Sequence, residues 1–121
     1  MSVRFITQSP AGLLKLFDQR IGQTEREGSI TTWRKTPSGN FTHVAERWGA
    51  KAYFKPRTDI EGRLVFNIIP PAGERIEPEV YSYYHAHLIE TFLNHFPNHF
   101  SRGEATSKPT KCDNLVSKTA K

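Results

Sequence analysis

The sequence predicts a single α+β domain in which two helices pack on one face of a four-stranded antiparallel sheet, in the order α-β-β-β-β-α. Apolar residues recur at spacings of three and four near residues 10–21 and again near 78–96, which is typical of amphipathic helices. Between these segments the period changes to two and β-branched and aromatic residues become frequent, which favours strands. Short clusters of Gly, Pro, Ser and Asn separate the strands, as expected for a meander.

The first helix is predicted over residues 10–21. Ser9 is a suitable N-cap, and Pro10 fits the first helical position, where a missing N–H costs nothing. Gly22 is a plausible C-terminal stop. The apolar stripe of this helix consists of Leu13, Leu14, Leu16, Phe17 and Ile21.

Four strands are predicted between the helices. Their ranges are 29–35, 41–48, 50–57 and 63–69, and Pro70 and Pro71 end the last of them. The third strand has the clearest alternation. Ala50, Ala52 and Phe54 are expected to point towards a helix, because they are small or apolar. The opposite set is expected to face water or a partner, and it consists of Lys51, Tyr53, Lys55 and Arg57.

The second helix is predicted to begin at Pro78 and to end near Phe96, because Pro97 would clash with the carbonyl of Leu93. Four of the five histidines lie in or just after this segment. His85 and His87 would be about 200° apart on a helix and therefore could not bind one ion. These histidines are interpreted as edge residues of an aromatic helix, and no metal or other cofactor is expected.

Length and composition indicate one folded domain over residues 1–100 and a flexible, basic C-terminal tail over 101–121. The chain has 121 residues and a net charge of +5, of which the tail carries five basic and two acidic residues. No apolar run reaches about 18 residues, and no signal peptide is evident, so a cytoplasmic protein without a membrane span is expected. The single cysteine, Cys112, agrees with a reducing compartment.

The sequence contains no catalytic motif that we recognise. Glycines stand singly rather than in phosphate-binding loops, and no serine lies in a GxSxG elbow. We therefore expect a small binding protein rather than an enzyme. Its candidate binding surface is basic, because cations bind phosphates and carboxylates and an exposed tyrosine can stack on an unpaired base. The predicted contacts to nucleic acid or an acidic protein are Arg34, Lys35, Arg47, Lys51, Tyr53, Lys55 and Arg57.

The alternative hypothesis is a small-molecule or enzymatic pocket between the second helix and the sheet. A curved sheet closed by an aromatic helix can leave a cavity there. The residues predicted to line it are Trp33, Trp48, Tyr83, Tyr84 and His85.

Overall fold

The computed structural model describes residues 2–110 and 112–116, which form six strands and two helices. In chain order these are β1 (Val3–Ile6), α1 (Pro10–Ile21), β2 (Trp33–Lys35), β3 (Phe41–His43), β4 (Tyr53–Arg57), β5 (Arg63–Ile69), α2 (Pro78–His95) and β6 (Arg102–Ala105). In this part of the chain no helix is both long enough and apolar enough to cross a membrane.

All six strands belong to one sheet with the order β2-β3-β4-β5-β1-β6, and every neighbouring pair is antiparallel. The α+β class, the antiparallel sheet and the two helices agree with the prediction. The predicted number of strands, four, is wrong, because β1 and β6 extend the sheet beyond β5. Each of these two strands has only four residues, which is too short for an alternating pattern to be recognised.

The helices begin and end close to the predicted residues, for the local reasons that the sequence indicates. Ser9 Oγ accepts a hydrogen bond from the N–H of Gly12 at 3.2 Å and so caps α1. The N–H of Gly22 bonds back to the carbonyl of Asp18 at its other end. Helix α2 ends at His95, two residues before Pro97.

Strands β2 and β3 are shorter than predicted, because the chain turns at residues for which the sequence pattern predicts extended backbone. After His43 the residues fold into tight turns, in which the N–H of Gly49 donates to the carbonyl of Ala45 at 2.6 Å. Ala50 has a φ of 58° and is exposed, so it does not share the buried face of Ala52 as predicted. The period of two therefore holds only from Ala52 onwards.

The core lies between the sheet and the two helices, which pack on the same sheet face. Phe17 of α1 contacts Phe41 and Phe66, with ring centroids 4.7 and 6.1 Å apart. Phe92 of α2 stacks on Phe5 of β1 at 4.1 Å. All five rings are buried, and burial of each such side chain contributes about 1.5–3 kcal/mol. The β1 strand therefore contributes directly to the core.

The C-terminal segment is part of the fold, so the predicted boundary at residue 100 does not coincide with the end of the sheet. Strand β6 pairs with β1, and the Tyr81 hydroxyl of α2 donates to the carbonyl of Thr106 at 2.8 Å. Farther along, Asp113 Oδ1 accepts hydrogen bonds from the N–H groups of Ser2 and Ile68 at 3.1 and 3.2 Å. Backbone pairing and one carboxylate thus hold a segment that has little apolar bulk. Residues 111 and 117–121 of the predicted tail lie outside the described residues.

Replacing Asp113 tests whether this segment stabilises the domain. Asp113→Ala removes an acceptor of backbone N–H groups at β1 and β5, so we expect a loss of about 2 kcal/mol in the free energy of unfolding. The measurement is chemical denaturation combined with amide exchange at Ile68. Asp59→Ala is the matched control, because Asp59 is exposed and its ion pair should contribute at most about 1 kcal/mol. Equal losses in the two variants would contradict a structural role for Asp113.

Candidate functional site

The sheet face turned away from both helices carries the basic residues of β4, and we call it the outer face. Ala52 and Phe54 are buried on the helix side, whereas Lys55 is exposed and Tyr53 and Arg57 are half-buried on the opposite side. The alternation of a strand therefore places a tyrosine and two cations in one row. This row is the part of the predicted basic surface that the geometry brings together.

Neighbouring strands add cations to the outer face. Directly paired residues of antiparallel strands share a face, and Arg57 pairs with Val65, which in turn pairs with Arg4. Ile6 pairs with Arg63 on one side and with Arg102 on the other. Arg34 also lies on this face, since it follows the inward-facing Trp33 in β2. The outer-face cations are Arg4, Arg34, Lys55, Arg57, Arg63 and Arg102.

Three of these cations were not identified from the sequence. Arg4 and Arg102 belong to the two strands that were not predicted, and Arg63 is the first residue of β5. Their proximity depends on the register of β5, β1 and β6, which is set by contacts distant in the chain. The sequence shows a basic residue at each of these positions, but it does not show on which face of the sheet that residue lies.

Two carboxylates neutralise part of the outer face. Arg57 donates two hydrogen bonds to Asp59, at 2.8 and 3.1 Å, and these lower the pKa of Asp59. Arg4 donates to Glu104 at 2.8 Å and lowers the pKa of that carboxyl, with smaller contributions from Arg102 and Arg63. Both ion pairs are solvent-exposed and therefore weak, so an anionic ligand could compete with them.

The remaining outer-face cations carry unbalanced charge. Among the described residues, neither Arg34 nor Lys55 has an ion-pair partner, and both side chains are exposed. Arg63, Arg4 and Arg102 together surround one carboxylate, that of Glu104. Part of this face is covered, since Val65 and Asn67 of β5, which pair with Arg57 and Lys55, are at most 2% exposed. The C-terminal segment reaches the face where Cys112 Sγ lies 3.8 Å from Arg57 Nη1. The outer face is thus positively charged on balance.

The other predicted basic residues lie elsewhere, so the seven residues do not form one surface. Lys35 shares the helix side with Trp33 and donates to Asp18 of α1 at 2.9 Å. Arg47 lies over the ring of Trp48 at 4.9 Å, in the turns between β3 and β4. Arg47 and Lys51 line a groove that also contains acidic side chains, namely Glu74, Glu77 and Glu79. The alternation of a strand does not apply in these turns, which is why the sequence pattern misplaced them.

The residues predicted to line the alternative pocket take part in aromatic packing. Trp33, Tyr84 and His85 are at most 4% exposed, and Trp33 Nε1 donates to Thr91 Oγ1 at 3.0 Å. The Tyr84 hydroxyl bonds to the carbonyl of Trp48 and contacts Thr42 Oγ1. Trp48 and Tyr83 stack with their rings 4.0 Å apart and nearly parallel. The ring faces are thus used in packing, and these residues close the core at this end of the sheet.

A pair of histidines, the buried His43 and the half-buried His87, lies beside this aromatic cluster. His43 and His87 have ring centroids 4.6 Å apart, and His43 also packs edge-on against Trp33 and Tyr83. His43 Nδ1 accepts a hydrogen bond from the N–H of Ala45 at 3.1 Å, which indicates the tautomer protonated on Nε2. Burial, with a smaller contribution from His87, lowers the pKa of His43 to about 4. His43 is therefore neutral at physiological pH.

The pair is too small to be a recognisable metal centre. In residues 2–110 and 112–116, no group of three or more His, Cys, Asp and Glu side chains is placed to hold a metal ion. Burial also lowers the pKa of His85 and of His87, which favours neutral rings. These histidines consequently behave as polar members of the aromatic core.

Comparisons with known proteins assign no function to this chain. No family model matches it, and no similar curated protein or similar solved structure was found. The most distinctive surface feature of the described residues is the positively charged outer face.

The His43 environment predicts a pH-dependent stability. Between pH 6.5 and about 4 the unfolded chain binds a proton at His43 and the folded protein does not, so the free energy of unfolding should fall as the pH falls. His43→Asn retains an acceptor for the N–H of Ala45 but cannot titrate. In that variant we expect the slope of unfolding free energy against pH to decrease by at most about 1.4 kcal/mol per pH unit in this window. The measurement is urea denaturation at several pH values, and an unchanged slope would contradict the assignment.

Proposed function

We propose that this protein binds single-stranded nucleic acid on the outer face of its sheet. The observation that carries the proposal is Tyr53, a half-buried aromatic ring beside the exposed Lys55 and the half-buried Arg57 on the sheet face opposite both helices. Cations that follow a sugar-phosphate backbone and an aromatic ring on which a base stacks are the two components of single-strand recognition.

The geometry of the face favours a single strand over a duplex. Six strands at about 4.8 Å spacing make a sheet roughly 24 Å wide, whereas the major groove of B-DNA is about 12 Å wide and admits a helix or a two-stranded ribbon. A broad sheet face can instead support an extended strand whose bases are unpaired and available for stacking. Tyr53 lies in β4, within the sheet rather than at its edge, which suits such a path.

The distribution of charge supports contacts with phosphates along this path. Arg34, Lys55 and Arg63 have no ion-pair partner among the described residues, and they lie on three different strands. Phosphates could also displace the weak partners of Arg4 and Arg57. An acidic protein uses the same electrostatics, but it gives the tyrosine ring no base to stack on. Exposed free Cys112 is consistent with the cytoplasmic location that we propose for this activity.

Charge reversal on the outer face tests the electrostatic component. Lys55→Glu should weaken binding of a fluorescently labelled oligothymidine or oligouridine, measured by anisotropy at several salt concentrations. Loss of one phosphate contact should reduce the slope of log affinity against log salt by about 0.7. Lys15→Glu is the matched control, because Lys15 is exposed on α1, on the other side of the sheet. Equal affinity of the Lys55→Glu variant and the unmodified protein would refute the proposal.

Substitution of Tyr53 tests the stacking component. Tyr53→Ala should weaken binding of the oligonucleotide by about 5- to 150-fold, which corresponds to 1–3 kcal/mol per stacked base, whereas Tyr53→Phe should retain most of the affinity. The same anisotropy titration measures both variants. Equal binding by the Ala and Phe variants would exclude stacking on Tyr53. Capture of an acidic protein that survives nuclease and is lost with Lys55→Glu would indicate the other class of partner.

A further inference from the structure

We propose that the free edge of β6 binds β6 of a second copy of this chain, so that the two sheets join into one. In the described part of the chain, β6 is the last strand of the sheet and pairs only with β1. Such an edge presents backbone donors and acceptors that another strand can use. This edge is separate from the Tyr53 row in β4, so dimer formation does not depend on nucleic-acid binding.

The direction of the backbone groups along β6 defines which residues face outwards. The N–H of Thr106 donates to the carbonyl of Ser2 at 2.8 Å, towards β1. Because successive residues of a strand point their backbone groups to opposite edges, the groups of Glu104 also face β1 and those of Gly103 and Ala105 face the free edge. Gly103 is at the centre of the strand, so it can exchange two hydrogen bonds with Gly103 of a second copy.

The two-fold symmetry and the charges of β6 favour the register in which Gly103 lies opposite Gly103 of the second copy. Residues that lie opposite each other in an antiparallel pair are on the same face of the sheet. When the two strands are identical, the two-fold axis therefore passes between the two copies of one residue. An axis at Arg102 would place two arginines opposite each other, and an axis at Glu104 would place two glutamates together. An axis at Gly103 places Arg102 opposite Glu104 of the other copy twice, on the outer face, where the two residues form close non-hydrogen-bonded pairs.

Helix α2 offers apolar side chains on the same side of the molecule. Tyr81 marks the flank of α2 that approaches β6, since its hydroxyl bonds to Thr106. Ile89 and Leu93 follow Tyr81 by eight and twelve residues, which places them roughly 80° and 120° further around the helix, between this flank and solvent. Leu93 is 56% exposed. A two-fold axis perpendicular to the sheet brings the two α2 helices to the same side, where these side chains can shield each other from water.

The opposite edge of the sheet does not offer the same complementarity. Strand β2 carries Arg34 and Lys35 and no acidic residue, so self-pairing there adds like charges without a compensating pair. Of the two sheet edges, β6 is therefore the one suited to a second copy.

Two charge reversals test the interface and its register. Sedimentation velocity over a wide range of protein concentration should show a dimer for the unmodified protein. Arg102→Glu and Glu104→Arg should each reduce self-association at least tenfold, because each places like charges opposite each other. An equimolar mixture of the two variants should dimerise again, since the acids of one then face the arginines of the other. Failure of the mixture to associate more strongly than either variant alone would overturn this register.

A backbone substitution tests the use of the edge itself. Ala105→Pro removes an outward-facing N–H while leaving the groups that face β1, so it should abolish the dimer without unfolding the monomer. Thermal denaturation checks that each variant remains folded. A monomeric unmodified protein at every concentration, or a dimer that persists in both Ala105→Pro and Arg102→Glu, would refute the proposal.

Discussion

The pairing of β1 with strands on both sides is the interaction on which the rest of the structure depends. Strand β1 lies between β5 and β6, so it joins the meander to the C-terminal segment. Its inward side chains, Val3 and Phe5, are fully buried, and Phe5 stacks on Phe92 of α2. A four-residue strand therefore connects the sheet, the second helix and the last strand, and its loss would expose the core and release β6 together.

The same strand determines the character of the outer face. While Phe5 faces the helices, Arg4 beside it faces outwards, between Val65 of β5 and Glu104 of β6. Because β1 brings β6 to the sheet, Arg102 joins Arg4 and Arg63 around one carboxylate. The charge of this region thus results from chain pairing between the two ends of the sequence, and it could not exist in the isolated meander.

The parts of the fold that could be predicted are those with local causes. The cap at Ser9, the stop at Pro97 and the alternation of Ala52 to Arg57 each follow from neighbouring residues. Strands β1 and β6 could not be predicted, since four residues carry too little pattern and their pairing is between distant segments. Lys35 does not lie on the predicted basic surface, for a related reason. It is on the same side of β2 as Trp33, whose orientation is fixed by a hydrogen bond to Thr91 of the distant helix α2. Thus the Tyr53 row follows from the sequence, whereas the cations around Glu104 require the three-dimensional register.

The two faces of the sheet differ in the chemistry of their side chains. The buried aromatic rings and His43 lie on the helix side, where burial requires neutral groups. Cations placed there would need carboxylate partners, as Lys35 has in Asp18. On the outer face the exposed charges of Arg34 and Lys55 remain solvated, so they cost little stability. Since pairing through β6 keeps both outer faces on one side, a dimer would present the cations of both copies in the same direction without changing the core of either copy.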